Sequence, residues 1–191
     1  ESPNPFFGLH AAITRQDLQT YVKVSYTDIF LYAIAKSLLE HKELNGYYLG
    51  NKLEMHNEIN IGLAVATDKG LRVPVLKDVN SKSLADIAKL RTELTSKTRE
   101  GKLTLDDLTG ATITVSILGG YNIDSFYAII NPPQVAILAI GAIKEVPIVK
   151  NGAIVAGKTV NVGLSCDHRA VDGAYAAEYL QTLKEKLEIL A

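Results

Sequence analysis

Ser165-Cys166-Asp167-His168-Arg169-Ala170-Val171-Asp172-Gly173 joins a predicted strand to a predicted helix, and the fold reading starts there. Upstream, Lys158 to Cys166 is apolar and β-friendly and reads as the last strand of the chain. Downstream, Asp172-Gly173 opens a terminal helix in which Ala176, Tyr179, Leu180, Leu183 and Leu187 share one face. A strand that hands directly to an amphipathic helix needs a sheet on one side and that helix laid against it.

Working outward, the same two patterns recur. Thr27-Asp28 starts a helix that runs to about His41, with Ile29, Phe30, Ala33, Leu38 and Leu39 at helical spacing, and Asn45-Gly46 ends it. Glu58 to Thr67 is nearly all apolar and predicts a strand buried on both faces. Asp68-Lys69-Gly70 turns the chain into Leu71–Leu76, which Pro74 restricts to a sheet edge or an irregular strand. Ser83-Leu84-Ala85-Asp86 has the form of a capping box and opens a charged helix to about Glu100. Thr104 to Asp107 repeats that cap for a single turn. Strands follow at Thr112–Ser116 and Gln134–Ile140, and Val146–Val155 reads as a hairpin about Asn151-Gly152. The sum is one α+β domain over residues 1–191, with helices on a largely mixed sheet.

Composition excludes several functions. The 191 residues are 47% hydrophobic and 21% charged, ordinary proportions for a globular chain with a sizeable core. A formal net charge of −1 offers no electrostatic footprint for nucleic acid or an anionic membrane. No apolar run reaches the length of a membrane span. The single cysteine, Cys166, excludes an intrachain disulfide framework and suits a reducing compartment, so a cytoplasmic setting, or the mitochondrial matrix in a eukaryote, is expected. The start at Glu1 instead of Met leads us to expect a piece of a longer polypeptide.

His168 is the one of four histidines that lies in a dense ionisable cluster, and a neutral imidazole is the side chain best suited to take a proton near pH 7. Asp172 follows four residues later. Read alone, this pair favours a helix-capping Asp172 and a loop histidine. Metal ligation lacks a third and fourth ligand, so no metal is expected. Cys166 lies inside a predicted strand, where a cysteine is inert as a nucleophile. Ser116 ends a β-rich run just before Gly119-Gly120, where a hydroxyl could donate to an oxyanion, although a strand-end serine bonded to backbone is the simpler reading.

Four ordered stretches carry a resemblance. Asp167-His168-Arg169-Ala170-Val171-Asp172-Gly173 is similar to the D-H-R-x-x-D-G signature of the catalytic domain of 2-oxoacid dehydrogenase dihydrolipoyl acyltransferases. Gly110-Ala111-Thr112-Ile113-Thr114-Val115-Ser116 resembles the family's G-x-T-x-T-x-S run, and Ile130-Asn131-Pro132-Pro133-Gln134-Val135-Ala136-Ile137-Leu138 its I-N-P-P-x-x-A-I-L. Gly62–Thr67 leading to Gly70–Val75 is the fourth. Two departures stand out. The family often has asparagine after the serine where this chain has Ile117, and the stretch between Gln16 and Val24 is short, which predicts missing residues near Tyr21-Val22.

The resemblance implies a two-layer fold of the chloramphenicol acetyltransferase kind. It also implies acyl transfer between a dihydrolipoyl thiol and coenzyme A, both as substrates, with the lipoyl group on a separate domain absent from this chain. On that reading His168 is the base, Ser116 the oxyanion donor and Asp172 an orienting group. The residues that contact coenzyme A and the lipoyl arm are not identified. The implied assembly is a homotrimer with His168 and Ser116 drawn from different copies. Such trimers build a cage that carries 2-oxoacid decarboxylase and dihydrolipoyl dehydrogenase components. Acetyl and branched-chain acyl groups both fit. Two alternatives stay open: an acetyltransferase with a hydroxyl acceptor, disfavoured by the D-H-R and I-N-P-P runs, and a non-catalytic core scaffold, disfavoured by His168.

Overall fold

Residues 23–190 are described by a computed structural model, and the expected short stretch at Tyr21-Val22 lies outside them. Helix α1 spans Tyr26–Leu38. A hairpin follows, β1 at Gly46–Leu49 and β2 at Lys52–Met55. Four short strands come next: β3 at Ile61–Leu63, β4 at Val65–Thr67, β5 at Gly70–Arg72 and β6 at Val75–Leu76. Helix α2 covers Leu84–Glu100. Strands β7 at Ile113–Ile117 and β8 at Ala136–Ile140 precede a hairpin of β9 at Lys144–Lys150 and β10 at Ala153–Thr159. The chain closes with β11 at Val162–Cys166 and helix α3 at Gly173–Ile189.

The main sheet has the order β11-β8-β7-β3-β6. Its β3–β7 and β7–β8 pairs are parallel, while β11–β8 and β3–β6 are antiparallel, so the sheet is mixed as expected. Register sets the two faces. Ile61 pairs with Ile113, and Leu164, Leu138 and Val115 lie side by side across three strands. These residues meet Phe30, Leu31 and Ile34 of α1, Ile87 of α2, and Tyr179, Leu183 and Leu187 of α3 in one buried cluster. The opposite face carries mostly small residues in rows, Gly62, Thr114 and the larger Ile137 in one, and Ser116, Ala139 and Gly163 in the next. Irregular chain from Ile123 to Phe126 crosses part of that face. Ala142 donates its N–H to the Ile123 carbonyl at 2.7 Å, and a Cβ on Gly141 would sit 2.0 Å from the Asp124 carbonyl oxygen. Only glycine fits at position 141.

Local signals behave as their chemistry requires. Ser83 and Asp86 form the capping box of α2, which ends at Gly101 with φ +68° in the left-handed region that glycine tolerates. Asn151 and Gly152, both with positive φ, make the tight turn that holds β9 and β10 in register from Lys144↔Thr159 to Lys150↔Ala153.

Three expectations need correction. The continuous strand Glu58–Thr67 breaks after Leu63: β3 stays in the main sheet, whereas β4 peels away to pair with β5. Pro74, opposite Leu63, explains this: it accepts from the Leu63 N–H but has no N–H to return, so the ladder on that side cannot continue. Ala66 and Leu71 are exposed as a result. Likewise Lys158–Thr159 belong to β10, and the last strand begins only at Val162, because the Asn151-Gly152 hairpin pairs for seven residues on each side. Helix α1 stops at Leu38, short of His41, where the Ser37 carbonyl accepts from both Glu40 and His41 N–H groups.

One buried ion pair ties the helical layer together. Asp28, fully buried, accepts from Arg91 Nε at 2.5 Å and Nη2 at 3.0 Å, and from the Ser25 N–H and hydroxyl at 2.7 Å each. It thereby caps α1 and links it to α2. Removing one partner of a buried pair strands the other's charge. Arg91→Leu should therefore destabilise the fold by roughly 3 kcal/mol in chemical denaturation; a change below a few tenths would show that the pair is idle.

Candidate functional site

The C-terminal end of β11 is fixed by backbone. Asp167 donates its N–H to the Val135 carbonyl at 2.8 Å, which continues the sheet one residue past Cys166. The chain then turns, with the Ala170 and Val171 N–H groups both reaching the Asp167 carbonyl, at 2.9 and 3.0 Å. Val171 is buried and anchors the far side of the turn. Asp172 begins α3 as its N-cap, accepting from the Tyr175 N–H at 2.9 Å.

His168 sits at the apex of this turn and is exposed. Among the described residues its ring makes no hydrogen bond, and the Asp172 carboxylate bonds to the helix backbone instead of to His168. Asp167 is held below the usual carboxylate range, first by hydrogen bonding to the Arg169 guanidinium. That contact is bidentate, Nε to Oδ1 at 2.9 Å and Nη2 to Oδ2 at 2.6 Å. The guanidinium also lies 4.4 Å from the centre of the Tyr48 ring.

Ser116 is half-buried on β7, in the row that runs to Ala139 and Gly163. Cys166 ends β11 opposite Ala136, at the other end of β8. Three residues along the strand and two strand spacings put the Ser116 and Cys166 Cα atoms roughly 14 Å apart, and His168 lies beyond Cys166. Within one chain the hydroxyl and the imidazole do not meet.

Cys166 packs on the core-facing side of the sheet, and burial, with Asp167 and Asp172 adding, pushes its thiol pKa up. Among the described residues there is no group of three or more His, Cys, Asp or Glu side chains placed to hold a metal ion. No described helix is long and apolar enough to cross a membrane. The threonines of the Gly110–Ser116 run have structural work. Thr112 bonds to the Asn45 side chain and the Asn60 carbonyl, and Thr114 donates to Gln134 Oε1 at 2.7 Å in the buried interior. Tyr48 carried no sequence signal, since its partner is remote in the chain and a lone tyrosine in a hairpin matches no motif.

The chain matches the family described as 2-oxoacid dehydrogenases acyltransferase (catalytic domain) over residues 7–191. It is 38% identical over 166 residues to the dihydrolipoyllysine-residue acetyltransferase component of the pyruvate dehydrogenase complex of Rickettsia felis, covering 87% of this chain and 40% of that one. It is 39% identical over 170 residues to the dihydrolipoyllysine-residue succinyltransferase component of the 2-oxoglutarate dehydrogenase complex of Haemophilus influenzae, covering 89% and 42%. The chain thus spans about two fifths of the length of these curated relatives. Among solved structures, the Azotobacter vinelandii dihydrolipoamide acetyltransferase superposes with a TM-score of 0.84 at 34% identity, over 88% of this chain and 70% of that one. That work concerned the role of a serine, a histidine and an asparagine in the catalytic mechanism of the Azotobacter enzyme.

A raised thiol pKa means less thiolate at any given pH. Iodoacetamide should alkylate Cys166 in the folded chain more slowly than free cysteine at pH 8, and a faster rate would contradict its placement against the core.

Proposed function

The chain belongs to the 2-oxoacid dehydrogenase acyltransferase catalytic-domain family, and from that premise we propose that it transfers an acyl group between a dihydrolipoyl thiol and coenzyme A. The observation that carries this reading is spacing. The serine, histidine and asparagine studied in the Azotobacter enzyme are separated along its chain as Ser116, His168 and Asp172 are along this one, with aspartate in the third place. Relatives of near-equal identity bear acetyltransferase and succinyltransferase names, which supports the reaction class and leaves the acyl group to experiment.

The chemistry follows from the side chains. A free thiol, with cysteine at about 8.5 as the model, is mostly protonated at pH 7. His168 takes its proton as the sulfur attacks the thioester carbonyl, forming the new C–S bond and leaving an oxyanion. The Ser116 hydroxyl donates to that oxygen. On collapse the other C–S bond breaks, and the departing thiolate recovers the proton from the imidazolium. Both thiols are present together, in a ternary complex. Asp172 caps α3 and so sets where the turn bearing His168 ends, a positioning role.

Because Ser116 and His168 lie at opposite ends of the sheet, the proposed site draws them from two copies of the chain. The exposed ring of His168, which makes no hydrogen bond among the described residues, suits a base whose surroundings are completed by a neighbour. We read the assembly as a homotrimer and the trimers as the cage-like core of a 2-oxoacid dehydrogenase complex, serving a decarboxylase and a dihydrolipoyl dehydrogenase. Residues 1–191 form its catalytic domain, the lipoyl group rides on another domain, and the lone cysteine supports a cytoplasmic setting.

With free dihydrolipoamide as acceptor, His168→Ala should lower turnover by about 10²–10⁴ while the oligomer measured by light scattering stays intact. Ser116→Ala should lower kcat by about 10²–10³ with little change in KM; near wild-type kcat in either variant would overturn the assignment. Steady-state rates with acetyl, isobutyryl and succinyl coenzyme A identify the acyl group.

A further inference from the structure

We infer that Tyr48 is a positioning residue for His168, acting through Arg169; the inference rests on the function proposed above. His168 is the central residue of a turn closed by a side chain: the Asp167 carboxylate accepts from the Arg169 backbone N–H at 3.1 Å, spanning His168. The same carboxylate takes both guanidinium bonds of Arg169. The hold on His168 is therefore only as firm as the hold on Arg169.

Arg169 alone is a weak anchor. Its side chain is 67% exposed, and exposed ion pairs fix long side chains poorly. The Tyr48 ring supplies the missing constraint. With the guanidinium 4.4 Å from the ring centre, cation–π attraction adds to the carboxylate fork, so the planar group is held from two directions.

Tyr48 is itself held by the sheet. Its N–H donates to the Pro133 carbonyl at 2.8 Å, and Val135, which carries the acceptor for Asp167, donates its own N–H to Gly46 at 3.1 Å. Strand β1, the run from Pro133 to Val135 and the turn bearing His168 thus form one continuous backbone network. Tyr48 is half-buried and packs against the core, so its ring is a fixed surface. Losing that surface frees Arg169, loosens the side-chain closure over His168 and blurs the position of the base. A base misplaced by about 1 Å can cost up to about 10²-fold in rate.

The test uses the assembled chain, the fastest of the three acyl coenzyme A donors, and dihydrolipoamide. Tyr48→Leu should lower kcat about tenfold, with both KM values within about twofold of wild type and the melting temperature unchanged. Tyr48→Phe, which keeps the ring, should restore kcat to within about twofold. Hydrogen exchange provides a readout independent of activity: the Ala170 and Val171 amides should exchange several-fold faster in Tyr48→Leu, with α3 and β8 unaffected. Wild-type kcat in Tyr48→Leu, a rise in KM alone, or an equal loss in Tyr48→Phe overturns the inference. Should wild type itself transfer no acyl group, the function proposed above fails and the exchange measurement decides the role of Tyr48 alone: unchanged amide rates in Tyr48→Leu overturn it.

Discussion

The antiparallel pairing of β11 onto β8 is the constraint on which the rest of this molecule depends. Because β8 runs parallel to β7, reversing β11 sends its C-terminus toward the start of β8, while Ser116 stays near the end of β7. His168 and Ser116 are thus driven to opposite ends of one sheet by backbone direction alone. The same pairing aligns Leu164 with Leu138 and Val115 on the helix-facing side, so a register slip would turn that apolar row outward and cannot be tolerated. Core and site geometry follow from a single set of hydrogen bonds.

Two ion pairs illustrate how burial changes what a charge does. Asp28 and Arg91 lie at the junction of α1 and α2, and every carboxylate oxygen of Asp28 is engaged. In that setting the pair specifies how two helices meet, and losing half of it is costly. Asp167 and Arg169 have similar bidentate geometry at an exposed turn, where water competes and the pair by itself contributes little. The Tyr48 ring and the backbone closure over His168 turn that weak pair into a local clamp. One pair serves the architecture and the other the placement of a side chain.

Much of the fold was legible in the residues. The capping box at Ser83 and Asp86, the turn at Asn151-Gly152, the cap at Asp172 and the helical stripe through Tyr179, Leu183 and Leu187 are local devices, and each does what its chemistry dictates. The failures were element boundaries, the end of α1 and the limits of two strands. Nothing in Glu58–Thr67 says that its outer partner is a proline, and nothing in Lys158–Cys166 says that the hairpin claims its first two residues. Strand limits are set by what lies alongside, which a linear pattern does not contain. The candidate site divides in the same way: His168, Asp172 and Ser116 stand in motifs, whereas Tyr48 reaches Arg169 only because β1 is stitched to the Pro133–Val135 run.

By itself, the sequence determined the class of elements, their order, the family and the candidate site residues, because these depend on periodicity, caps and short motifs that act within a few residues. Only the tertiary structure decided strand direction and register. With them it decided that the hydroxyl and the imidazole stand apart in one chain, that the Gly110–Ser116 threonines serve buried hydrogen bonds, and that Tyr48 faces Arg169. The physical reason is that pairing between strands is a non-local choice, set by hydrogen bonds and packing between segments far apart in the chain.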